Sequence, residues 1–142
     1  MSLYGSYKTD ATVENEGAWF PYGDGVCIRL ARAGGANKNF LRCAEVFSNK
    51  YRAQLNRKQL PNDVALDAII ELYADAVVIA WEGVTDENGD DLVCTKSNVI
   101  KVLTDLPDLF AQVQEDATER EAFKEFIKEA DSKNLSSVSS TD

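Results

Sequence analysis

Four carboxylates recur at every fourth position, Asp63, Asp67, Glu71 and Asp75, and they are the first residues of this chain whose type and spacing suggest chemistry. On a helix that spacing lines them along one face, where like charges repel by a few tenths of a kcal/mol per pair. Such a row serves either as a solvated surface or as a docking strip for a basic partner. A di-metal carboxylate site would need Glu-x-x-His pairs, and the sequence contains no histidine. The same absence removes the usual general base near neutral pH, the commonest metal ligand, and every Ser/His/Asp or Cys/His arrangement. Cys27, Cys43 and Cys94 lie far apart without a C-x-x-C, so they read as free thiols of a reducing compartment. Residues 86–91 imitate the start of a calcium loop, but Asp91 stands where its glycine belongs and Ser97 where its closing glutamate belongs. Gly34-Gly35 lacks the rest of either phosphate-cradling glycine pattern and suits a turn. We therefore expect no enzymatic activity, no cofactor and no metal.

Charge is the more informative property. The 142 residues carry 15 basic and 24 acidic side chains, a net charge of −9, which disfavours general binding to nucleic acid or to anionic membranes. The balance is uneven. Residues 29–58 hold eight of the basic residues and one acid, Glu45, for a local +7, against −16 in the remainder. Lys38, Arg42 and Arg57 belong to that basic stretch. Its bland reading is a solvated helix face. The sharper one is a polarised subunit whose basic side meets the acidic row of Asp63, Asp67, Glu71 and Asp75 on a neighbour, giving a homo-oligomer. A second candidate partner surface is the apolar set Phe123, Phe126, Ile127 and Ala130 on the charged stretch EREAFKEFIKEADSK, which either closes the chain's own core or docks in a groove elsewhere.

These residues need elements to position them. Ala18, Phe20 and Tyr22 alternate, Asp24-Gly25 signals a type I′ turn, and Val26, Ile28 and Leu30 alternate afterwards, so a hairpin is expected, with Pro21 at a sheet edge. Asn37 is the natural cap for an amphipathic helix over residues 38–58, with Phe40, Ala44, Phe47, Tyr51 and Leu55 on its apolar side. Pro61 separates it from a second helix expected to run to about Trp81 and to form the central core helix. Residues 82–95 read as an acidic loop or short hairpin about Asn88-Gly89, residues 97–104 as a short helix capped by Ser97, and Pro107 as the start of another. The apolar phase lapses over residues 114–121 and then resumes, which fits one bent helix or two.

The expectation is an α+β fold: one mostly helical domain over residues 12–130, with a small N-terminal β-hairpin packed on four or five helices. Residues 1–11 are expected to be flexible, and the serine-rich residues 131–142 to be disordered. The N-terminal MSLYGSYKTD has no apolar core, so secretion is not expected. The longest unbroken apolar run, residues 76–81, is far short of the ~20 residues that span a bilayer.

Three stretches taken in order, WFPYGDGVCIRLARAGGANKNF (19–40), YADAVVIAWEGVTDENGDDL (73–92) and LTDLPDLF (103–110), resemble the small tail assembly chaperones of long-tailed bacteriophages. The resemblance covers roughly residues 12–115. It implies a non-enzymatic, largely helical protein that coats the tape-measure protein, keeps its apolar segments soluble and helps to bring tail-tube subunits. Such a protein works in the host cell cytoplasm and is absent from the finished virion. The alternative is a structural tail or head–tail junction protein retained there. The family is often also made as a longer frameshifted form, and the serine-rich end of this sequence is expected to correspond to a short form. The matching residues read as structural: glycine turns, a buried Trp81 and a helix-starting Pro107.

Overall fold

The computed structural model describes residues 2–123. In chain order the elements are α1 (Leu3–Tyr7), α2 (Ala11–Glu16), β1 (Ala18–Pro21), β2 (Cys27–Leu30), α3 (Lys38–Lys50), α4 (Arg52–Asn56), α5 (Asn62–Ala76), β3 (Val78–Glu82), α6 (Lys96–Asp105) and α7 (Pro107–Thr118). The fold is α+β, with one small antiparallel sheet beside a helical layer.

The hairpin forms where alternation places it, with Ala18 opposite Leu30 and Phe20 opposite Ile28. Its turn differs from the expected type I′, which needs positive φ at both central residues. Gly25 has φ +73 but Asp24 does not share that region, and the Val26 N–H closes the turn on the Gly23 carbonyl at 3.2 Å. Pro21 lies on an edge strand, where its missing N–H costs the sheet nothing.

A third strand is the main departure. The sheet order is β1-β2-β3, and β3 occupies residues assigned from sequence to the second helix. Val77, Val78 and Ile79 are β-branched and Trp81 follows; periodicity alone cannot separate such a short apolar run from a buried helical turn. Leu30 pairs with Val78 and Arg29 with Ala80, so a bulge accommodates Ile79, and Val78 and Trp81 both reach the core. Trp81 is only partly buried, and its indole N–H donates to the Leu92 carbonyl at 2.7 Å.

The 38–58 helix is likewise divided. It breaks at Tyr51 (φ −111°, ψ 17°), leaving α4 as a separate five-residue piece. Beyond Tyr51 only Ala53 and Leu55 are apolar, too little surface to hold a continuous rod against α5. At its start the expected cap holds. The Asn37 side chain accepts from the Phe40 N–H at 3.2 Å and donates to the carbonyls of Arg32 (2.8 Å) and Ala76 (3.0 Å). It is buried, so one amide ties β2's exit, α3's start and α5's end together. Thr95, two residues earlier than Ser97, caps α6 by accepting from the Asn98 N–H at 3.2 Å. Pro107 opens α7 as expected, and residues 120–123 are again helical after a break at Glu119. In the stretch expected to be flexible, residues 3–7 form α1 under a Ser2 cap.

The main core joins Ile28 and Leu30 of the sheet to Ile70, Tyr73 and Val77 from the α5 end, Val99 and Leu103 of α6, and Phe110, Val113 and Ala117 of α7. Tyr73 stands edge-on to Phe110, ring centroids 5.2 Å apart. The expected central helix is thus buried along its C-terminal half only. A second, smaller cluster contains Val13, Ala18 and Phe123, with Phe20 packed against it.

Two partly buried polar contacts stitch these layers. Glu14, only 2% exposed, accepts from Thr9 Oγ1 at 3.0 Å and pairs with Arg32, binding α2 to the segment after β2. Tyr22 donates its hydroxyl to Asp116 Oδ2 at 2.7 Å, tying the hairpin end to α7. Burial first, and then that bond, push the Tyr22 phenol above its ordinary range. The folded chain therefore holds a proton that the unfolded chain releases near pH ~10, so this contribution is full below that pH and is lost as the pH rises further. Tyr22→Phe should cost about 1–2 kcal/mol at neutral pH and flatten the alkaline fall in stability. Urea midpoints of both proteins at about pH 8 and about pH 10.5 check this; parallel losses would contradict it.

Candidate functional site

The charged residues singled out from sequence are carried by α3 to α5. Helices α3 and α5 run side by side, and Asn39 Nδ2 donates to the Asp75 carbonyl at 3.2 Å. Between them lies a groove of ≈ 210 Å³. Its floor is Cys43, Phe47, Ala68 and Leu72; Arg42 and Lys50 line the α3 side and Glu71 and Asp75 the α5 side. Arg42, Glu71 and Asp75 thus meet at one site. Lys38 is exposed at the start of α3, Arg57 at the end of α4, and Asp63 and Asp67 on the far half of α5.

The acidic row has an internal partner that the sequence did not announce. Lys96, at the start of α6, reaches Asp75 Oδ1 at 3.0 Å and Glu71 Oε2 at 3.2 Å. Hydrogen bonds to Asp75 and then Glu71 raise the Lys96 ammonium above its ordinary range. All three groups are exposed, so the contact is worth little in stability. Its consequence is electrostatic, because it halves the charge of the α5 rim at that end.

On the other rim Arg42 leans on the Asn39 side chain and Lys50 sits 5.3 Å from the centre of the Tyr51 ring. Helix α3 is strongly amphipathic, yet none of its residues is fully buried. The groove thus has an apolar floor between rims of opposite charge.

Phe123 is fully buried inside the chain, its ring centroid 6.2 Å from that of Phe20. Its place in the chain's own second core is the bland side of the choice posed by the sequence. Phe126 and Ile127 lie outside the described residues, as do residues 131–142. The cysteines are free and half-buried, and burial raises the Cys94 thiol. Among the described residues no cluster of three or more Cys, Asp or Glu side chains could hold a metal ion, and no helix is long and apolar enough to cross a membrane.

Sequence reasoning missed the buried Glu14–Arg32 pair. A glutamate in a short polar segment carries no burial signal of its own. A second groove, lined by residues of the 85–92 loop and by Lys101, Val102, Asp105 and Leu106, was equally hidden, because it depends on how the loop folds back after β3.

The described residues define a small α+β domain whose distinguishing surface is a pair of oppositely charged helices. A family model described as YdaY prophage protein matches residues 35–134, most of the chain, and the chain belongs to that family. The matched region holds both charged helices and leaves out the hairpin. No curated protein and no solved structure matches the chain.

Proposed function

We propose that this prophage protein is a tail assembly chaperone, which binds the tape-measure protein and helps to recruit tail-tube subunits without catalysing a reaction. The observation that carries the reading is the ordered set of motifs at 19–40, 73–92 and 103–110, now joined to a phage family. The α3–α5 surface supports it. A tape-measure client is long and helical, and a groove with an apolar floor and charged rims accepts one face of such a helix. An acidic exterior keeps the loaded complex soluble. The site of action is then the host cytoplasm, with release before the virion is complete.

Co-expression with the tape-measure protein of the same prophage tests this. The expected result is a co-purifying complex and a larger soluble fraction of the client. A client equally insoluble with and without this chain, and no complex, would contradict it. Phe47→Glu, which places a charge on the groove floor, should abolish the gain.

A further inference from the structure

Helix α4 is poorly covered. All five of its residues are exposed, Leu55 at 41%, and five residues are far fewer than the ~12–15 that hold a helix alone in water. Its end is nonetheless well formed. Lys58 takes φ +56, and the Gln59 N–H closes on the Gln54 carbonyl at 2.8 Å, so the tip is held as a defined knob. Leu55 stands there among Arg52, Arg57 and Lys58.

The complementary shape lies at the other charged surface of the same chain. A groove of ≈ 500 Å³ runs between the 85–92 loop and the end of α6. Its floor is Leu92, Val102 and Leu106, and Leu106 is 52% exposed. Asp86, Glu87 and Asp105 line it, and the one cation there, Lys101, is already held by Asp105 at 2.6 Å. The loop is braced from within, since Asp86 Oδ1 accepts from the N–H groups of Asn88 (2.8 Å) and Asp90 (3.0 Å).

We infer that the α4 knob of one copy docks in the 85–106 groove of the next. Leu55 covers Leu92, Val102 and Leu106, while Arg52, Arg57 and Lys58 face Asp86, Glu87 and Asp105. A contact of either surface with its own copy would set like charges against each other, so knob meets groove; pairing in one direction is head-to-tail, and its repetition gives a ring or a filament. The inference rests on these surfaces and stands whether or not the client is a tape-measure protein.

Sedimentation velocity on the whole chain, across concentration and salt, tests it. The expected result is a mass that grows with concentration in about 20 mM salt, and an association constant lower by at least about tenfold in about 0.5 M salt. The double variants Arg52→Glu/Arg57→Glu and Glu87→Lys/Asp105→Lys each change only exposed side chains and should be monomeric alone. Mixed in equal amounts they should regain the assembled mass, because the basic knob of one meets the acidic groove of the other and the reversed charges pair at the alternate contact. A wild-type chain that stays monomeric at low salt would overturn the inference. So would association that is indifferent to salt, or variants that assemble unaided. The salt series on the wild-type chain decides the matter even if a variant fails to fold.

Discussion

Gly83→Ala should destabilise the chain by about 3–5 kcal/mol, the largest effect expected of any single methyl group here. Gly83 follows β3 with φ +78, a region that alanine enters at a cost, and a Cβ built on it would sit 1.9 Å from the Gly25 carbonyl oxygen and 2.8 Å from its carbon. The obstructing atoms are backbone, so no side chain can rotate away. Gly25 itself needs its own φ of +73 to close the hairpin turn, and the two glycines therefore let β3's exit pass against the β1–β2 turn. Against a total stability of about 5–15 kcal/mol, the variant should lose most of its margin. Urea or thermal unfolding measures it. A loss below about 1 kcal/mol would mean that the turn and β3 do not approach as described.

Phe123→Ala comes next, at about 3–5 kcal/mol, with a fall in melting temperature of roughly 3 °C per kcal/mol. The ring is fully buried against Val13, Ala18 and Phe20, and its removal leaves a void where α2, β1 and the segment after α7 meet. The same residue stood in the sequence as half of a choice between core and partner surface. The expected ordering is now explicit: stability falls strongly, and partner binding falls only as far as unfolding carries it. An unchanged melting temperature with lost partner binding would return Phe123 to the surface.

Much of the fold was legible because local signals agreed with tertiary ones. The alternation of Ala18, Phe20, Ile28 and Leu30, the Asn37 cap and the Pro107 start all appear where they were expected. The failures have a common cause. Residues 76–81 are apolar whichever way they fold, and only pairing with β2, a partner some fifty residues upstream, makes a strand of Val78–Glu82. The helix break at Tyr51 was half visible, since only Ala53 and Leu55 are apolar beyond it, but where the rod ends depends on how far α5 supports α3. The candidate site was legible as two charged stretches. Their juxtaposition across one groove was not, nor was Lys96, which arrives from α6 to share Glu71 and Asp75.

Phage membership and charge geometry bear differently on function. Membership in the prophage family rests on most of the chain, whereas the chaperone role rests on motif order and on the character of one groove. The most direct test follows the protein through assembly. Quantitative mass spectrometry should compare tail intermediates with finished particles from the induced prophage. This chain is expected in several copies with the tape-measure protein in the intermediates, and is expected to be absent from finished particles. Stoichiometric retention in finished particles, or absence from every intermediate, would contradict it.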